Sequence, residues 1–541
     1  MTSPVEAIPD DDKITPELLK IAGVVVIGAI MSILDVTVVN VALPTFQTEL
    51  SGNGEPLAYS TVAWTATAYM LALAAVIPLT GWAADRFGTK RLYLTAIALF
   101  TIGSLLCATA WNIEALIGFR VLQGLGGGML MPLGMTIMTK AAGPHRMGRL
   151  MAILGVPMLL GPIMGPILGG VLIDAASWHW VFLINLPIGL IGLVYAWNVL
   201  PKDNPEPSES LDWVGMIMLS PGLASLLYGV SSIPGEGTVA ATKVLVPMII
   251  GIALIAAFAF WSFKPKHPLL DLRLFKNRNL TISIITMFLF ASAFFGALLL
   301  VPTYFQQVDG DSVKRAGLLI APQGIGAMLT MPIAGSLTDK IPVGRIVPFG
   351  FLGILVGLFG LANSTDPGTS NIQIMAWLFV TGLGMGATMM PLFTSALKTL
   401  QAADVARGST LLNVTQQVAS ATGIATISVV LTNAMKSGDV LAGSEKIPGI
   451  DGGLTAAQLA AGSHTDQGMK LVDTLNAGGS VLQQGFQDLA DSFQTSYWVA
   501  FAALFITLIP VFLLPRKREV AHLLDGEDGG DAADSVPVVM H

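Results

Sequence analysis

One cysteine, Cys107, in 541 residues excludes a disulfide framework and any cysteine-rich metal site. Charge is scarce too. Asp, Glu, Lys and Arg make up 12% of the chain, against about 25% in soluble domains. Lys and Arg total 28 against 35 acids, a formal net charge of −7, so there is no basic footprint for nucleic acid. No Gly-Lys dipeptide occurs, which removes a Walker A loop and with it a nucleotide-driven pump. The six histidines (His145, His179, His267, His464, His522, His541) fall in connections or tails without metal-ligand spacing. Neither a metal nor a metalloenzyme site is expected.

What the chain has is apolar length: 53% hydrophobic residues and 58 glycines. A bilayer-spanning helix needs about 20 largely apolar residues, and about fourteen runs qualify. They lie near 21–43, 60–80, 92–110, 113–138, 149–173, 180–200, 213–233 and 243–263. The remaining six lie near 280–303, 317–337, 345–363, 372–396, 411–433 and 495–514. The chain reads as an all-α polytopic membrane protein. Residues 1–20 are polar and acidic, and the run after them is too long for a signal core, so it reads as a retained first span.

Short cytoplasmic loops carry the excess of Lys and Arg. With fourteen spans, 21 of these residues fall on the side of both termini, six on the other, and Arg120 alone lies within a span. Both termini are therefore expected in the cytoplasm, with the protein in the inner or plasma membrane of the cell. Residues 201–212 form a Pro- and acid-rich linker after six spans, and 264–279 a basic connector at the interface. Between them sits a helix pair, 213–263. The C-terminal six spans, 280–514, enclose an external loop, 434–494, with three Lys against seven acids. Within it, 481–494 is amphipathic enough to read as a helix resting on the membrane surface. The tail, 515–541, is acidic.

The loop Gly81-Trp-Ala-Ala-Asp85-Arg86-Phe-Gly88-Thr-Lys90-Arg91 follows the second span. A looser copy, Gly335-Ser-Leu-Thr-Asp339-Lys340-Ile-Pro-Val-Gly344-Arg345, follows the tenth, with two extra residues before its second glycine. Each is the second loop of a six-span block, the mark of an internal repeat. The first loop resembles motif A of the major facilitator superfamily. The stretch Leu34-Asp35-Val-Thr37-Val-Val-Asn40-Val-Ala-Leu-Pro44 is similar to the first-helix motif of its fourteen-span drug/proton antiporters, the EmrB/QacA group. Arg120-Val-Leu-Gln123-Gly124-Leu-Gly126 resembles motif B. The run from Gly161-Pro162 through Gly165-Pro166 to Gly169-Gly170 resembles motif C, the antiporter motif. Trp178 to Gly189 is similar to a run in the same place in that group.

The resemblance implies the major facilitator fold: two six-helix bundles, 21–200 and 280–514, plus the two inserted helices. It also implies export of small amphipathic, often cationic molecules against protons, within membrane lipid and without a cofactor. The second half offers no membrane acid in 317–337 or 411–433. A dedicated exporter of one endogenous lipid or metabolite, or a substrate-sensing receptor on the same scaffold, is also open on the sequence.

Asp35 and Arg120 carry the chemistry. A charged side chain within a span costs several kcal/mol unless water, a proton or a partner relieves it. Asp35 is therefore expected to carry the coupling proton, and Arg120 to bias it. Gly161, Gly165 and Gly169 recur every four residues, a stripe that lets backbones approach, and Pro162 and Pro166 interrupt helix hydrogen bonds. A gate-forming bend is expected there. In motif A, Asp85 is expected to cap the next helix or pair across the bundle, with Arg86, Lys90 and Arg91 cytoplasmic. Candidate substrate contacts are Thr37, Asn40, Trp64, Tyr69, Gln123, Met389, Met390, Asn413, Gln416 and Gln417, polar, aromatic or adaptable groups within spans.

Overall fold

The computed structural model describes residues 14–516 except 52–56, 143–145, 204–209, 237, 266, 312, 367, 402–403 and 438–479. Thr15 opens α1 (Pro16–Glu49): its hydroxyl accepts the Leu18 N–H, and Pro16 takes the first helical turn. The first half continues with α2 (Tyr59–Phe87), α3 (Thr89–Ala108), α4 (Ile113–Ala142) and α5 (Met147–Ala175). Its sixth span is broken into α6 (Trp180–Leu183) and α7 (Asn185–Val199). Then come α8 (Trp213–Glu236) and α9 (Thr242–Trp261).

The second half holds α10 (Arg278–Gln307), α11 (Val313–Lys340) and α12 (Val343–Ala362), then a span broken into α13 (Asn371–Gly386) and α14 (Met389–Lys398). It closes with α15 (Val405–Ser437) and α16 (Ser480–Leu513). Among the described residues, thirteen helical spans are long and apolar enough to cross a membrane, and the 29-residue α5 makes the fourteenth. Among the described residues there is no strand. The 34 residues of α1 reach about 50 Å at 1.5 Å per residue, well beyond a hydrocarbon core of about 30 Å.

Helices α1–α7 pack as one bundle and α10–α16 as another; the halves meet through α5 on α11 and α14, and through α15 on α2 and α4. The inserted pair packs mainly on itself. Its α8 lies against both α2 and α15, across the seam between the halves. Gly229 brings α8 so close to α9 that a Cβ there would stand 2.8 Å from the Val244 carbonyl.

Three expectations change. Residues 481–494 are not a separate surface helix: they are the opening turns of α16, and Leu489, Ala490 and Phe493 are buried in the bundle. The connection drawn as 434–494 therefore shortens, because α15 runs to Ser437 and α16 begins at Ser480. The connector 264–279 does not simply lie along the interface. Its Leu269 and Leu270 are buried, and the Leu269 N–H reaches Asp212 at 3.3 Å. Asp212 also accepts from Gly215 N at 2.8 Å and Trp261 Nε1 at 2.9 Å, clamping the start of α8 to the end of α9. Residues 1–13, the centre of the external loop and the tail beyond 516 lie outside the described residues.

Candidate functional site: a buried charge cluster in the first half

Gln123 follows Arg120 by three residues, so both project from one face of α4. Close packing brings that face to its neighbours. A Cβ at Gly124 would stand 2.6 Å from the Tyr69 carbonyl, and one at Gly103 would stand 2.7 Å from Gln123 Cα. The helices α2, α3 and α4 therefore meet almost backbone to backbone around Arg120. Asp35, from mid-α1, and Arg120 are each 1% exposed.

Arg120 Nη1 donates to Asp35 Oδ2 at 2.5 Å and to Gln123 Oε1 at 2.7 Å, while its Nε donates to the Thr65 carbonyl at 3.0 Å. Its guanidinium lies 4.1 Å from the centroid of the Tyr69 ring, a cation–π contact. The other carboxylate oxygen, Asp35 Oδ1, accepts from Gln123 Nε2 at 2.7 Å and Asn185 Nδ2 at 3.3 Å. Both amides also donate to Ser104 Oγ, at 3.2 and 3.1 Å. A carboxylate held by two amide donors and a cation is the arrangement an ionised Asp35 requires.

Asp35 and Arg120, the two charges that stand out in the spans, are thus in direct contact. The sequence pattern does not single out Ser104 or Asn185. Asn185 lies inside the Trp178–Gly189 run, and the interruption before α7 puts it at that helix's first position. Tyr69 and Gln123, read as substrate contacts, are instead sealed at 0% exposure around Arg120.

The other substrate candidates do not converge on one cavity. Asn40 is exposed, and Trp64 is 40% exposed, stacked on Tyr228 of α8 at 5.5 Å. Met390 is buried against Gly155 of α5, with Met389 beside it in the core. Asn413 donates to Met135 Sδ at 3.3 Å and Ser409 O at 2.8 Å. Gln417 lines a crevice between α2, α8 and α15, and Gln416 is half-buried.

Motif C faces α1. Cβ atoms built at Gly161 and Gly165 would collide with Ile33 and Thr37, and one at Gly169 would meet Val41 and Val38 at 3.2–3.3 Å. The stripe therefore seats the helix that carries Asp35. Thr37 turns its hydroxyl back to the Ile33 and Leu34 carbonyls. Gly170 stands off the stripe, and a Cβ there would have nothing within 4 Å. The side chains of Pro162 and Pro166 lie outside the described residues. Gly165→Ala is expected to destabilise the protein by about 1–3 kcal/mol through overpacking, whereas Gly170→Ala should be neutral or slightly stabilising. Thermal unfolding of the purified variants in detergent checks this; equal midpoints would contradict the stripe.

The two motif A loops do parallel work. Gly81 lies under the start of α15, where a Cβ would meet Thr410 Oγ1 at 3.2 Å and the Ala406 carbonyl at 3.4 Å. Gly335 lies in the same way under the start of α5, 2.5 Å from the Gly148 carbonyl by the same measure. Asp339 then accepts from Gly148 N at 2.9 Å and from Arg149 Nε at 3.3 Å, tying the second half to the first. Nearby, the Thr136 and Ser409 hydroxyls meet at 2.8 Å. This end of the molecule is closed.

Capping of α3, expected from Asp85, falls to Asp203 in the linker: its carboxylate accepts from Lys90 N at 2.8 Å and Arg91 N at 2.9 Å. Gly88, at φ +91°, makes the turn into that cap. Asp85 and Arg86 are half-buried, Arg91 is exposed, and Lys90 Nζ donates to the Leu200 carbonyl at 2.7 Å.

A charge pair sealed among membrane helices, in a molecule whose two six-span halves repeat the same glycine-seated contact, is the build of a membrane transporter. The chain belongs to the major facilitator superfamily, whose family model matches residues 25–424. That is a family of transporters, not of enzymes.

Among its relatives is the multidrug resistance protein B homolog of Mycobacterium tuberculosis (strain H37Rv), 45% identical over 513 residues, covering 94% of this chain and 92% of that one. The multidrug export protein EmrB of Escherichia coli K12 is 32% identical over 410 residues, 75% of this chain and 79% of that one. Both support the EmrB-type branch to which the motifs point. Among solved structures, the human organic anion transporter MFSD10 superposes with a TM-score of 0.56 at 16% identity, covering 91% of this chain and 100% of that one. The proton:xylose symporter XylE does so at 0.54 and 14%, covering 92% and 96%. At these identities the likeness is one of fold.

Proposed function

We propose that this protein is a proton-coupled exporter of amphipathic, often cationic small molecules, working by alternating access. The observation that carries the reading is Asp35 and Arg120 buried together inside a membrane bundle. A buried pair of this kind is weak evidence for stability, since well-packed apolar residues often do as well. A group that must change protonation gives a reason to keep it. Asp35 takes and releases the coupling proton, and Arg120 tunes it. The closed end, fastened by Gly335, Asp339 and Arg149, is the cytoplasmic one, because Lys and Arg gather there and both termini share that side. No resident cofactor is needed.

One proton moving down about 100 mV supplies about 2.3 kcal/mol, and half a pH unit adds about 0.7 kcal/mol. Together these sustain a substrate gradient on the order of a hundredfold. The substrate class draws on the multidrug names of the relatives and on the acidic loop 434–494.

The test is a panel of lipophilic cations, neutral and anionic drugs, scored for resistance and accumulation with and without the gene. Lower accumulation of several unrelated amphipathic compounds in cells carrying the gene is expected. No change for any compound would defeat the multidrug reading and favour a dedicated exporter.

A further inference from the structure

Around Asp35 the donors of Arg120, Gln123 and Asn185 all point inward. Gln123 Oε1 receives Arg120 Nη1 at 2.7 Å and the Cys107 thiol at 3.5 Å, two donors that fix the orientation of the amide. Gln123 Nε2 must then face Asp35 Oδ1 and Ser104 Oγ. Asn185 Nδ2 donates to the same two oxygens. The hydroxyl hydrogen of Ser104 goes to the Phe182 carbonyl at 2.9 Å. Ser104 thus serves as a shared post for both amides, with its one donor already engaged.

A carboxylate only accepts, whereas a carboxylic acid must also donate one O–H. As arranged, the cage presents Asp35 with donors alone. A proton arriving on Oδ1 would face two amide N–H groups, so one amide has to turn over. If Gln123 turns, its Oε1 accepts the new O–H and its NH2 group swings toward Arg120. A cation cannot bond to a donor. Arg120 then loses Gln123 and the negative charge of Asp35, whose Oδ2 is left as a neutral acceptor, and keeps the Thr65 carbonyl at 3.0 Å and the Tyr69 ring. Both lie on α2, the helix that meets the second half through α15 and the inserted α8.

We propose that Gln123 is the positioning residue that exchanges the proton of Asp35 against the hold on Arg120, with Asn185, through Ser104, as its second support. The inference rests on Asp35 being the coupling acid. It adds that two amides on one carboxylate oxygen set the pH at which the exchange occurs. The ionisable groups facing this cage are Arg120 from α4, Tyr69 from α2 and Cys107 from α3. None is a carboxyl group, so a carboxylic-acid signal from the cage belongs to Asp35.

Infrared difference titration of the purified full-length protein in detergent, without substrate, reads that signal directly. Removing an N–H donor withdraws support from the ionised form. The carboxylic-acid band should therefore persist to higher pH, with its midpoint raised by about one unit in Gln123→Met and by less in Asn185→Leu. A purely structural role would lower thermal stability and leave the midpoint in place. Asp35→Asn identifies the band. If the titrating band survives in that variant, the reading of Asp35 as the proton carrier fails. If Asp35→Asn removes it while both amide variants titrate at the wild-type midpoint, the present inference is overturned and Asp35 stands. Should Gln123→Met not fold, Asn185→Leu decides alone, since it removes one donor without touching Arg120.

Discussion

Asp35→Asn should bring the steady-state substrate gradient from on the order of a hundredfold down to about one, in proteoliposomes under an imposed pH difference. Asn cannot exchange a proton, so uphill movement has no driving reaction. Substrate-for-substrate exchange down a gradient should survive, because that half of the cycle moves no proton.

The substitution also has a structural cost. Arg120 is 1% exposed, and removing its counterion leaves a buried charge worth about 3–5 kcal/mol of destabilisation. Lost transport could then be mistaken for lost folding. The double variant Asp35→Asn/Arg120→Gln separates the two: it should regain most of the thermal stability and none of the concentrative transport. Concentrative export by either variant would place the coupling site elsewhere.

The second large effect is expected at Gly335. A Cβ added there would already stand 2.5 Å from the Gly148 carbonyl and 2.8 Å from Ala152 Cβ. Gly335→Leu adds a branched side chain where the two halves touch, so the closed end cannot form as it does here. The bundles themselves stay intact, because the clash lies between them. Export should fall at least tenfold while the protein still inserts and purifies normally. A Thr136→Cys/Ser409→Cys pair, replacing hydroxyls that meet at 2.8 Å between the halves, reports the closure in a Cys107→Ala background. Crosslinking should be efficient with Gly335 in place and nearly absent once Gly335→Leu is added. Unimpaired export by Gly335→Leu would mean that contact at Gly335 is not part of the cycle.

The fourteen spans were readable because lipid leaves a helix little choice: about 20 apolar residues in a row have few other uses. Asp35 and Arg120 were readable for the opposite reason, as charges where charge is costly. What surrounds them was not. Ser and Asn are ordinary residues in membrane helices, and Asn185 meets Asp35 across 150 positions of chain. Tyr69 and Gln123 stand out as polar groups in spans, yet nothing local could say that they face Arg120 rather than a substrate.

Asp203 escaped for a similar reason. Helix caps normally sit beside the helix they serve, and this one arrives from 113 residues away. The looseness of the second motif A does not reach the contact: its two extra residues fall after Asp339, so the glycine and the acid that touch α5 are undisturbed. The amphipathic pattern of 481–494 was real, but a long span with one face against its bundle shows the same periodicity as a helix lying on a membrane.

The inserted pair breaks the twofold likeness of the halves, since α8 covers the α2–α15 side and, among the described residues, has no counterpart on the α5–α11 side. Its tightest approaches are internal, where Gly222, Gly229 and Gly251 press α8 and α9 together. Toward the bundles it presents side chains instead: Tyr228 stacked on Trp64, and Leu223 and Leu227 beside Ala74, Ile77, Val414 and Val418. Interlocked backbones resist displacement, while smooth aliphatic and aromatic surfaces shear. The hairpin is thus rigid in itself and closed at one end by Asp212; under the proposed alternating access its side-chain face would act as a bearing, covering the α2–α15 joint while the two helices shift.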